Sequence, residues 1–190
     1  MSKHRLEAFT DGVLAIIITI MILEMEVPKT INYQEIMKLI SDLIIYLISY
    51  VYVGIYWNNH HHLLSTVEQV NGRVLWTNLT LLFFLSLIPF ATKWINDGMS
   101  AVAVIFYGLT LLLSAMAYYL LIKSILKSNN NVTLSIYQKH GFKKEIISII
   151  LYILGIISVF VSPYISLGFY IIVALLWIIP DKKIERTLTN

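Results

Sequence analysis

The chain has 190 residues, 58% hydrophobic and 13% charged, with a net charge of +3. So much apolar surface cannot be hidden inside a domain of this size, which excludes a water-soluble globule. The lack of cysteine excludes disulfides, iron–sulfur clusters and thiolate metal sites, and the few basic residues report orientation rather than nucleic-acid binding.

Charged residues are absent between Asp42 and Glu68, between Asp97 and Lys123, and between Glu145 and Asp181. Uncharged runs of this length are what a hydrocarbon core about 30 Å thick demands of helices. The pattern predicts an all-α polytopic membrane protein, with residues 1–190 forming a single domain of six transmembrane helices. The first span runs from Arg5 to Val27 and is closed by Glu24, Glu26 and Pro28. Its basic start also fits a signal peptide, but Asp11 interrupts the apolar stretch and no small-residue cleavage site follows. The second span is Ile36–Leu64, the third Val74–Ile95 and the fourth Met99–Ile122. The run from Ile146 to Pro180 would be about 52 Å long as one helix, too long even for a tilted span. Ser162-Pro163-Tyr164 divides it into two spans, 146–162 and 165–180.

Six spans put both termini on one side. That side carries eleven Lys and Arg residues, against Lys29, Lys38 and Lys93 on the other. The positive-inside rule places both termini in the cytoplasm. The longest loop, Lys123 to Lys144, is then cytoplasmic, and its "KSNNNVT" is a plain turn segment. Usage rich in Ile, Lys and Asn hints at an AT-rich bacterial genome. No tandem repeat is visible, so a central pathway requires several copies of the chain, unless it lies within one bundle.

Ionisable and amide groups inside the spans are few, and those singled out are Asp11, the group Asn58, Asn59, His60, His61 and His62, and Asn78. Ionisable groups at such positions are costly and mark function or a buried network. All three groups fall at the same level, near the cytoplasmic ends of the first three helices. This predicts an interhelical network of Asp11, Trp57, Asn78 and one or two of the histidines, with Arg5 as charge partner. Such bonds fix helix packing at about 0.6 to 2 kcal/mol each. A proton relay through Asp11 and His60 or His61 is the functional alternative to this clasp. The consecutive histidines point in different directions on a helix and cannot converge on one ion, so no metal site is expected, although one of them could join Glu68 or His4. Tyrosines and tryptophans gather at span ends as interfacial belts, Tyr50, Tyr52 and Tyr56 excepted. No Ser/His/Asp arrangement, phosphate loop or dinucleotide fingerprint supports an enzyme.

On the first helix, Ile16, Ile20 and Leu23 form one stripe, with Thr19 beside it. Asp11 lies about 140° away from Ile16, facing a different neighbour. Around a symmetry axis, such a stripe makes hydrophobic rings that gate by dewetting. Facing lipid or another helix, it is ordinary packing, which periodicity alone favours.

Arg5-x-x-x-Phe9-Thr10-Asp11 resembles the R-x-x-x-F-S-D signature of the transmembrane protein 175 family, the lysosomal and bacterial potassium channels. "YWNNHHHLL" from Tyr56 resembles the Trp-x-x-His-His pattern of that family's second helix, and "NLTLLFFLSLIPFAT" from Asn78 to Thr92 its third. The six-span length matches a single repeat, as in bacterial members. The resemblance implies a homotetramer whose first helices line a central pore in the lipid bilayer. It implies constrictions at Ile16, Ile20 and Leu23, a contribution of Thr19 to potassium preference, and a structural network of Arg5, Phe9, Thr10 and Asp11 with the second and third helices. Two positions depart from the family: Thr10 replaces the signature serine, and His62 stands where arginine is frequent. No carbonyl filter of the TVGYG type is present, and aliphatic side chains cannot replace an ion's hydration, so potassium is expected to pass partly hydrated. The expected function is a potassium-preferring channel for monovalent cations that needs no cofactor; the alternative is a proton-conducting or proton-coupled transporter.

Overall fold

The computed structural model describes residues 2–65, 67, 69–128 and 143–178. Residues 129–133 of the predicted cytoplasmic turn, residues 179–180 of the last predicted span, and Glu68 lie outside them.

Helix α1 is Lys3–Leu23, α2 Tyr33–Ser65, α3 Gly72–Leu85, α4 Ile88–Asp97, α5 Ala101–Ser128, α6 Lys143–Ser158 and α7 Pro163–Ile178. No strand occurs among the described residues. The fold is all-helical: α3 and α4 follow one another closely enough to make one candidate span, Gly72–Asp97, which leaves six helices. Four of these are long and apolar enough to cross a membrane, and α7 is a shorter apolar helix.

Local chemistry explains the boundaries. Asn32 Oδ1 accepts the backbone N–H of Glu35 at the start of α2, and Asn71 Oδ1 accepts that of Val74 at the start of α3. The break at Ser86-Leu87 precedes Pro89, which has no N–H to give and whose ring crowds the carbonyl four residues back. Pro163 opens α7 as a first-turn residue, where its missing N–H costs nothing. Helix α1 ends four residues before the predicted span does, and α5 continues six residues past Ile122, into the predicted loop.

Helix α5 is the hub, packed against α3, α4, α6 and α7. Its buried side includes Ala103, Gly108, Ser114 and Ala117, small residues that let neighbouring helices approach closely. Tyr52, Tyr107, Tyr152 and Tyr170 fill the space between α2, α5, α6 and α7 and are fully buried. Gly108 and Gly155 leave room for the Tyr170 ring, which a Cβ at either position would strike. Thr92 of α4 donates to Ser49 of α2 at 2.7 Å, and Ser49 pairs with the Tyr107 hydroxyl of α5 at 3.0 Å, joining three helices. Helix α1 sits at the margin of the bundle, packed on α2, α3 and α4.

Candidate functional site

Two faces of α1 have different fates. Leu6, Thr10, Leu14, Ile17 and Met21 recur at helical spacing and are buried against the bundle. The opposite face is open. Ile16 is 58% exposed, Ile20 40% and Leu23 80%, and Phe9 is half-exposed. Among the described residues, none covers the stripe. Thr19 is also exposed, and its hydroxyl turns back to donate to the Ile16 carbonyl at 2.9 Å.

The polar group expected as one network divides into two. Inside the bundle, His60 donates its Nε2–H to Asn78 Oδ1 at 2.7 Å, and Asn78 Nδ2 donates to Thr10 Oγ1 at 3.1 Å. All three residues are buried, so each needs the others. At the surface of the chain, Trp57 donates its indole N–H to Asp11 Oδ1 at 3.0 Å. Asp11 is exposed and makes no hydrogen bond with His60, His61 or Asn78 among the described residues. The physical reason is angular: Thr10 and Asp11 are consecutive and point about 100° apart, so only one can enter the bundle. Arg5 is exposed, and no ion pair joins it to Asp11 among the described residues. His61 is exposed, with its ring edge-on to His62. No cluster of three or more His, Cys, Asp or Glu able to hold a metal ion occurs among the described residues.

Sequence reasoning missed a set of charges at the other end of α1. Glu26 pairs with Lys93 of α4 at 3.0 Å and with Lys38 of α2 at 3.6 Å. Lys38 also meets Asp42 at 3.4 Å, and Lys93 meets Asp97 at 3.1 Å. Hydrogen bonding to Lys93, with the charges of Lys93 and Lys38, holds the Glu26 carboxyl below its usual value of 4.5. The i,i+4 spacing of Lys38 with Asp42 and of Lys93 with Asp97 was the available signal.

Comparison with known proteins gives the family. Residues 5–89 match the family described as the endosomal/lysosomal potassium channel TMEM175. A potassium channel from Chryseobacterium sp. (strain P1-3) is 51% identical over 192 residues, covering 99% of this chain and 98% of that protein. The crystal structure of a lysosomal potassium-selective channel TMEM175 homolog from Chamaesiphon minutus matches with a TM-score of 0.75 at 26% identity, over 92% of this chain and 95% of the other. The endosomal/lysosomal proton channel TMEM175 of Danio rerio is 28% identical over 94 residues, which is 47% of this chain and 18% of that protein. The match in family, in length and in helical architecture makes this chain a member of the TMEM175 family, whose members are channels and not enzymes.

Proposed function

We propose that the protein is a potassium-preferring cation channel of the bacterial cell membrane, with both termini in the cytoplasm. Four copies assemble around a central pore lined by α1. Ile16, Ile20 and Leu23 form its hydrophobic constriction, and Thr19 adds a ring of hydroxyls beside it. The observation that carries this reading is the open apolar stripe on α1, set on a chain 51% identical over its whole length to a protein named a potassium channel.

The other exposed groups of α1 support assembly. Asp11 lies eight residues into a helix of 21, about 12 Å from its start. A carboxylate at that depth is not left facing lipid. Covered by a neighbouring subunit or facing water, the Asp11–Trp57 pair is satisfied. Arg5, exposed one to two turns below, is available to meet it across a subunit boundary.

Without carbonyl ligands, the constriction passes ions that keep part of their water, and closes by expelling water from rings of aliphatic side chains. Polar substitution at Ile16 or Leu23 therefore raises conductance or weakens ion preference. Bilayer recordings of Ile16→Asn and Leu23→Asn test this, together with the subunit count by native mass spectrometry. Unaltered currents in both variants, or a monomer, would count against the proposal.

The proton-channel name of the Danio rerio relative favours a second reading, proton conduction through Asp11 with His60 or His61. Asp11→Asn separates the two. Proton-driven current that disappears in this variant supports the relay; potassium current that persists supports the clasp.

A further inference from the structure

The charges at the outer end of α1 form a continuous chain, Asp42–Lys38–Glu26–Lys93–Asp97. Its two outer pairs are each one turn apart on a single helix, Lys38 with Asp42 on α2 and Lys93 with Asp97 on α4. Only Glu26 links one helix to another. It follows α1 directly: Glu24 N–H returns to the Ile20 carbonyl and Met25 N–H to that of Ile22, so Glu26 moves with the last turn of the helix. Leu23 lies in that turn and points away from the bundle. Glu26 thus ties the end of α1 toward α2 and α4, on the side of the helix away from Leu23.

We propose that Glu26 is the clasp of a releasable strap, which holds the outer end of α1 back against α2 and α4 and so holds Leu23 out of the pore axis, until acid on the outer side undoes it. The proposal rests on the channel reading above and gives that channel a form of regulation. Glu26 is 59% exposed, so its pairs are of the weak, solvent-screened kind that a change of medium can undo. Protonation removes its charge and both interhelical pairs together. The freed end of α1 then relaxes toward the axis, and Leu23 narrows the constriction.

Other groups share this neighbourhood. Lys29 of the α1–α2 connection and Glu35, Lys38 and Asp42 of α2 line, with Glu26, a polar cavity of about 140 Å³. Lys93 and Asp97 face Glu26 from α4, and Glu24, just past the end of α1, is its acidic neighbour in the chain. Asp42, Asp97, Glu24 and Glu35 are the other carboxylates near Glu26. The variant Glu26→Gln isolates the link between helices, because it leaves both pairs within helices in place. Lys93→Gln removes the link to α4, together with the Lys93–Asp97 pair, and leaves Glu26 its pair with Lys38 of α2.

The test has two readouts on the intact protein. One is potassium current in planar bilayers as the outer solution goes from about pH 7 to about pH 3.5. The other is the mobility of a spin label on Val27→Cys, the only cysteine in an otherwise cysteine-free chain. On acidification the parent current falls about two- to fivefold, the change that release of an exposed ion pair can bring about, and the label becomes more mobile. In Glu26→Gln the current is lowered and the label mobile already at neutral pH, and acid adds little to either; Lys93→Gln, which keeps the pair with Lys38, lies between Glu26→Gln and the parent. Potassium current with a label that responds neither to acid nor to Glu26→Gln overturns the strap and leaves the channel standing. A current that falls in acid equally in the parent and in both variants assigns the effect to another carboxylate and also overturns the strap. A responsive label with no potassium current at any pH overturns the channel reading instead.

Discussion

Trp57 of α2 and Asp11 of α1 are joined by a 3.0 Å indole-to-carboxylate hydrogen bond on the outside of the chain, while the residue just before Asp11 is sealed within it. The signature segment therefore serves two surfaces at once. Thr10 looks into the bundle and Asp11 looks out from it.

Trp57→Phe removes the indole donor and keeps the ring. It should weaken packing between α1 and α2 by about 0.6 to 2 kcal/mol. Asp11→Asn keeps an acceptor and should cost less. Unfolding titrations in mixed micelles measure both, and a larger loss for Asp11→Asn would mean that its charge has a partner beyond Trp57.

Asn78→Leu should cost more than Trp57→Phe. It leaves the buried His60 without its hydrogen bond, at about 1 to 3 kcal/mol. Thr10 suffers less, because its hydroxyl can turn to a carbonyl of its own helix. The same titration checks the order of the two variants.

Gly108→Ala and Gly155→Ala should each destabilise the subunit by about 1 to 3 kcal/mol, because the added methyl meets the buried Tyr170 ring. Gly12→Ala is the control: nothing lies within 4 Å of the added atom, and the fold of the subunit should be unchanged. Thermal unfolding of the three variants side by side measures the contrast.

The pairs of Glu26 carry a pH dependence of known sign. Its carboxyl is held below 4.5, so the folded state binds this proton less readily than the unfolded chain does. The stabilisation is fully present above about pH 4.5 and is lost as pH falls through the lower folded value. Acid unfolding of Glu26→Gln should show a smaller drop in stability over that window than the parent. An equal drop would mean that other carboxylates carry it.

The architecture was legible because a bilayer imposes it. Uncharged runs and the break at Ser162-Pro163 needed no tertiary information, and α6 and α7 lie on either side of that break. The level shared by Asp11, the histidines and Asn78 was legible for the same reason. Which of two consecutive residues turns inward was not. Thr10 and Asp11 sit at one depth, and only the placement of α2 and α3 decides that Thr10 meets Asn78 while Asp11 meets Trp57. The tyrosines of α2 stood out as exceptions to the interfacial pattern, yet Tyr52 meets Tyr152 of α6 and Tyr56 meets Tyr118 of α5, on helices that no local spacing connects. Glu26, Lys38 and Lys93 lie on separate elements, and their meeting follows from the ends of α1 and α4 lying beside the start of α2.

The measurement that tests the central claim most directly is ion flux through the purified protein in liposomes, first under a potassium gradient and then under a sodium gradient, with Ile16→Asn alongside. The account predicts flux that favours potassium in the parent and larger or less selective flux in the variant. No flux under either gradient from protein shown to be folded, or identical flux in parent and variant, would contradict it.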